Sequence, residues 1–216
     1  MDKILEFINL FSEYNEHTNL MSKNDILKLK DKHIKDSLSI DLFLKKYNKN
    51  IKNIIDIGTG GGLPAIPVAI QYNNFNIYAV DSIGKKIKFV ELVKEKLQIT
   101  NLFPICSRIE DLNKKEFFDV AMSRAVAELS TILEYSAPFV KINGYIVAYK
   151  AKLADEELLS VQNTLKLLNL KFLEKIDTIQ ENQNITEHCL LIFQKTKKTS
   201  LEYPRKNNLP RKKPLY

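Results

Sequence analysis

Apolar residues recur at helical spacing in the first fifth of the chain, at Ile4, Leu5, Ile8, Phe11 and Tyr14 within residues 2–21 and then at Ile26, Leu29, Ile34, Leu38 and Leu42. Two amphipathic helices are predicted there, forming an N-terminal helical cap over 1–50. From Ile54 the pattern changes to short apolar runs alternating with helix-period stretches. Strands are expected at 54–57, 75–80, 102–106, 118–123, 145–150, 172–179 and 188–194, and helices at 64–72, 84–97, 126–137 and 154–168. Strand-helix alternation predicts an α/β fold: a mostly parallel sheet with helices on both faces. The last two candidate strands have no clear helix between them, so a seven-stranded sheet ending in an antiparallel hairpin is expected. The core is assigned to 51–194 and a basic, Pro-containing tail to 195–216, with no internal repeats.

One junction carries chemistry. Ile54-Ile55-Asp56-Ile57 runs into Gly58-Thr59-Gly60-Gly61-Gly62-Leu63-Pro64 and then into a helical stretch, and Asp81 ends the second strand. Gly58, Gly60 and Gly62 make G-x-G-x-G, whereas the dinucleotide pattern G-x-G-x-x-G would need a third glycine where Leu63 stands. That departure, with an acid about 20 residues on, suits S-adenosylmethionine, which has an adenosine but no pyrophosphate. Glycines let the backbone approach the methionine moiety, the helix start can face its carboxylate, and Asp81 can accept from the ribose hydroxyls. The class expected is therefore the Rossmann-like class I fold of S-adenosylmethionine-dependent methyltransferases.

Composition narrows the setting. The 216 residues suffice for one domain with a substantial core. No apolar run approaches the roughly 18 residues of a membrane span, and Glu6, Asn9 and Glu13 interrupt any signal-peptide pattern, so a cytoplasmic protein with no membrane association is expected. Cys106 and Cys189, far apart on strand-like segments, are read as reduced core thiols rather than a disulfide or metal site. The net charge of +7 resides in the tail, where eight basic residues, Arg205, Lys206, Arg211, Lys212 and Lys213 among them, face Glu202 alone. Pro204, Pro210 and Pro214 argue against helix there and for an extended, solvated end. Charge of that density favours a polyanionic partner, nucleic acid above all.

Several elements in order resemble the bacterial 16S ribosomal RNA guanine-N7 methyltransferase family, also called glucose-inhibited division protein B. They are Asn19-Leu20, His33-Ile34-Lys35-Asp36-Ser37-Leu38, Asp56 through Pro67, Asp81-Ser82 with Lys85-Lys86, Ser107-Arg108-Ile109-Glu110, Ser123-Arg124-Ala125, and Tyr203-Pro204-Arg205 to Lys213-Pro214-Leu215. Ala65 stands where the family usually has glycine, Gly61 where it often has Ala or Pro, and the N-terminal region is somewhat short. The resemblance implies cofactor contacts at Gly58, Leu63, Ile109, Glu110 and Arg124, and a target guanine in the 530 loop of 16S rRNA, with free rRNA or the small ribosomal subunit as partner. The chain is expected to act as a monomer.

The residues are compatible with this. Ile109 can lie on an adenine face and Glu110 can meet its edge, although a solvated acidic loop accounts equally for Glu110 and Asp111. Arg124 follows the fourth strand, at the end where open parallel sheets bind ligands; it can bind cofactor, phosphate or the guanine oxygen, or merely position them. After that strand the chain lacks the Asn/Asp-Pro-Pro-aromatic run used on exocyclic amines, and neither cysteine has the motif of a pyrimidine-carbon nucleophile. A ring nitrogen such as guanine N7 needs no general base, so orientation would carry catalysis. His33, Asp36 and Ser37 share a helical face and are read as structural pairing beside the loop, and His188 as a structural strand residue. Candidate RNA contacts are Lys85, Lys86, Arg108 and the tail cations. Two rival readings stand: a small-molecule methyltransferase, and a non-catalytic RNA- or ribosome-binding protein that keeps the loop.

Overall fold

The computed structural model describes residues 2–47, 50–151, 154–178 and 188–216. Helix α1 (Lys3–Thr18) is capped by the Asp2 side chain and ends at Asn19 in the left-handed conformation. Short helices α2 (Lys23–Ile26) and α3 (Lys35–Leu38) flank a π-helical turn at Leu29–Ile34, and α4 (Ile40–Tyr47) completes the N-terminal part. The expected second helix is therefore broken into short α- and π-helical pieces with turns at Leu27, Lys28 and Ser39.

Strands β1 (Asn53–Ile57), β2 (Asn76–Asp81), β3 (Leu102–Cys106), β4 (Phe118–Arg124), β5 (Val140–Lys150), β6 (Leu170–Thr178) and β7 (His188–Lys195) form one sheet in the order β3-β2-β1-β4-β5-β7-β6. The first five pair in parallel, and β7 runs antiparallel between β5 and β6. Interleaved are α5 (Ala65–Gln71), α6 (Gly84–Lys96), α7 (Leu129–Ser136), α8 (Ala154–Ser160) and α9 (Gln162–Leu167). The apolar runs predicted these strands because parallel strands are buried on both faces. Residue 179 of the expected sixth strand, and 1, 48 and 49 of the expected cap, lie outside the described residues.

Two boundaries moved for physical reasons. β5 begins five residues early, since Lys141, Asn143 and Gly144 break the apolar signal. α7 starts three residues late, because Ala125 has φ +53° and the chain forms a loop at the end of β4 before turning helical. Cys189 is buried as expected, but Cys106 is exposed: it is the last residue of edge strand β3.

The tail departs most from expectation. Lys195 is fully buried in β7, its Nζ donating to Val140 O at 2.9 Å and meeting Glu116 Oε1 at 3.2 Å. Tyr203 and Pro204 are buried, and Leu209–Lys212 forms a helical turn, α10, with Pro210 in its first turn, where a missing N–H costs little. Pro210 starts a helical turn instead of preventing one.

The N-terminal helices share a core with the sheet. Phe7, Phe11 and Tyr14 of α1 surround Phe89 of α6 with ring centroids 6.4, 5.3 and 4.8 Å away. Phe11 also reaches the glycine loop, since a Cβ on Gly61 would lie 2.5 Å from its ring.

Candidate cofactor cleft

A cleft of ≈ 420 Å³ opens at the C-terminal ends of β1 to β4, the end at which open parallel sheets bind ligands and within the size range of ligand sites. Ile57 and Gly58 form its floor, Asp81 and Lys86 one side, and Ile109 and Glu110 another. Of the residues expected to bind cofactor, Gly58, Asp81, Ile109 and Glu110 line it. Gly60 adjoins it through the Asp81 carboxylate, and nothing lies within 4 Å of where a Cβ on Gly60 would stand, so the loop leaves open space there.

Asp81 shapes the loop as well as facing the cleft. Its Oδ2 accepts from Gly60 N at 3.0 Å and its Oδ1 from Ile83 N at 2.9 Å. A carboxylate has about four lone-pair sites, so acceptor capacity remains for vicinal hydroxyls. Lys86 Nζ stands 3.8 Å from Oδ2. Glu110 is no solvated acid: its side chain is only 6% exposed, its Oε1 accepting from Asn208 N at 3.3 Å with Arg108 Nη1 at 3.7 Å. Ile109 is buried and belongs to the core cluster that includes Val80 and Leu129.

Leu63 and Arg124 lie outside the lining. Leu63 is buried in the core. The Arg124 guanidinium instead pairs with Asp36 Oδ2 at 2.9 Å and donates to His33 O at 3.3 Å, a largely buried ion pair. His33, Asp36 and Ser37 are pinned as a structural unit: Ser37 Oγ donates to His33 O at 2.6 Å, Tyr149 OH to Ser37 O at 2.9 Å, and His188 Nδ1 lies 3.7 Å from Asp36 Oδ1. Burial, then the nearby Arg124 charge, pushes the His33 pKa down, which favours the neutral imidazole.

Beneath the loop, Asp56 is fully buried. Its Oδ2 accepts from Ala65 N at 3.2 Å, while Oδ1 and the Thr59 hydroxyl have no hydrogen-bond partner among the described residues. Burial raises its pKa to about 7. The sign follows: between about pH 4 and 7 an unfolded chain has ionised this carboxyl while the folded one keeps its proton, so stability falls as pH rises through that window. The span from 3.8 to about 7 is worth at most about 4 kcal/mol. We expect wild-type protein to lose stability relative to Asp56→Asn over that window in urea denaturation; parallel pH profiles would refute the protonated carboxyl.

The RNA candidates separate into two groups. Lys206, Lys212 and Lys213 are exposed, as are Lys85 and Arg108, though Lys85 Nζ also donates to Thr18 O at 3.2 Å. Arg205 forms a multidentate pair with Glu134, which is 0% exposed, with Nε–Oε1 at 2.9 Å and Nη2–Oε2 at 2.6 Å. Arg211 borders the cleft and donates from Nη2 to Val126 O at 2.9 Å. Sequence reasoning missed Asn208 and Tyr135 as cleft residues, and no local pattern marks either.

The pattern of the GidB family, rRNA small subunit methyltransferase G, matches residues 1–186. The chain belongs to this family. Ribosomal RNA small subunit methyltransferase G of Fusobacterium nucleatum is 37% identical over 100% of this chain and 91% of its own length. That of Alkaliphilus metalliredigens is 32% identical over 100% and 90%. Among solved structures, a SAM-dependent methyltransferase from Aquifex aeolicus superposes with a TM-score of 0.59 at 16% identity, covering 81% of this chain and 98% of that one. M. jannaschii TYW2 in complex with AdoMet gives 0.56 at 14%, covering 74% and 76%. The methyltransferase fold and its S-adenosylmethionine cofactor agree with the cleft: open space at Gly60 and a carboxylate at the tip of β2 are features such a ligand needs.

Proposed function

We infer that this methyltransferase transfers a methyl group from S-adenosylmethionine to N7 of a guanine in the 530 loop of 16S rRNA. The observation that carries this reading is the cleft at the ends of β1 to β4, walled by Gly58, Asp81, Ile109 and Glu110, in a chain of the rRNA small subunit methyltransferase G family. The cofactor supplies an electrophilic sulfonium methyl group. The chain's own part is to hold and orient: Gly58 and Gly60 admit backbone contact, Asp81 accepts from ribose hydroxyls, and Ile109 and Glu110 meet adenine. Guanine N7 presents an unprotonated lone pair, so no residue need remove a proton, and alignment supplies the rate. Arg124, tied to Asp36, fixes the loop after β4 rather than reacting.

The exposed Lys206, Lys212 and Lys213 beside the cleft favour a polyanionic acceptor over a small molecule. A base edge is reached only when unstacked or in a loop, which suits folded rRNA or a partly assembled subunit approached by a cytoplasmic monomer. No helix among the described residues is long and apolar enough to cross a membrane.

The test is methyl transfer from labelled S-adenosylmethionine to small subunits purified from a strain lacking the enzyme, with the product mapped. Label at one guanine of the 530 loop, with the alkali-sensitive imidazolium ring of a 7-methylguanine, is expected. Label elsewhere refutes the assigned position, and cofactor binding without any transfer leaves the non-catalytic reading.

A further inference from the structure

After β7 ends at Lys195 the chain returns to the C-terminal end of the parallel strands. Lys115 Nζ holds Tyr203 O at 3.0 Å, the Arg205–Glu134 pair pins the chain to α7, and Thr131 Oγ1 donates to Pro210 O at 2.9 Å. These anchors deliver Asn208 and Arg211 to the cleft lining. There Asn208 N donates to Glu110 Oε1 at 3.3 Å, Tyr135 OH donates to Asn208 Oδ1 at 3.2 Å, and Arg211 is held by Val126 O. Asn208 takes the left-handed conformation, φ +58°, which Asn tolerates better than most residues.

We propose that Asn208 and Arg211 bind the adenosine part of the cofactor, making the basic C-terminal segment a wall of the cofactor site. The inference rests on the cofactor reading above. Both residues border the cleft with Ile109, Glu110 and Tyr135, the part assigned to adenine. The amide of Asn208 offers two donors and an acceptor to the edge of a purine. Arg211 spends one N–H on Val126 and keeps a planar guanidinium that can lie on a purine face. The segment thereby joins two tasks, since Lys206, Lys212 and Lys213, within a few residues of these contacts, are exposed to a polyanion.

Truncation is a poor test, because it leaves Glu134 buried without its cation. Asn208→Gly keeps the positive φ and removes only the amide; Arg211→Ala alters an exposed side chain. Binding of S-adenosylhomocysteine and of 5′-methylthioadenosine, which lacks the amino-acid end, is measured by calorimetry for the full-length chain, with urea midpoints confirming the fold. Each variant is expected to weaken both ligands by about tenfold, roughly 1.4 kcal/mol. Weakening of S-adenosylhomocysteine alone places the contact at the amino-acid end and overturns the proposal, as do affinities within twofold of wild type. If wild-type protein binds neither ligand, it is the cofactor reading that fails.

Discussion

Arg205→Ala is expected to destabilise the protein by about 3–5 kcal/mol, the usual cost of removing one partner of a buried ion pair. Glu134 is 0% exposed and accepts three hydrogen bonds from the Arg205 side chain and one from its backbone N–H. Only the last survives the substitution, and a carboxylate is left in a nearly dry setting between α7 and the C-terminal segment. Adding Glu134→Gln removes the stranded charge while keeping the shape, and the double variant should recover a large part of the loss. Urea denaturation with an unchanged m-value provides the measure. A single variant within about 1 kcal/mol of wild type would mean that the pair is solvated in solution and that the C-terminal segment is not docked as described.

Gly58→Ala is expected to lower kcat/KM by about 10–100-fold, the scale on which a misplacement near 1 Å acts. Gly58 has φ +76°, and an added Cβ would lie 2.5 Å from Val126 Cγ2. Two costs arise: backbone strain of about 1–3 kcal/mol for a non-glycine residue in this region, and displacement of either the loop or the segment after β4. The companion Gly58→Ala/Val126→Ala separates them, because it removes the clashing methyls and leaves the strain. Partial recovery in the double variant is the expected result. A fully active Gly58→Ala enzyme would show that this stretch of backbone does not position the reaction.

The parallel part of the sheet was legible because strands covered on both faces are written as short unbroken apolar runs, and the glycine loop with Asp81 because each does a local job: one turns the backbone, the other ends a strand at the cleft. What stayed hidden depends on partners far apart in the chain. Arg124 and Asp36 are 88 residues apart, Arg205 and Glu134 71. The tail's basic, proline-containing composition is also that of disorder, so composition alone pointed away from the docked segment. One signal was present: Glu134 is the lone charged residue within Leu129 to Phe139, and a charge that is buried with its helix requires a cation from elsewhere. For Arg124 the complementary reason holds: strand order gives its position but not the direction of a long side chain, which here pairs with Asp36.

The separation between Glu134 and Arg205 also has a meaning in time. Chains emerge from the ribosome at about 5–20 residues per second, so the carboxyl on α7 waits roughly 4–14 s for the arginine that neutralises it. During that interval the five parallel strands can already have been synthesised, yet the face that receives the final segment cannot close. Docking against α7 thus waits on a residue made 71 positions later, and a nascent chain that has not reached Arg205 carries an unpaired carboxyl at that face.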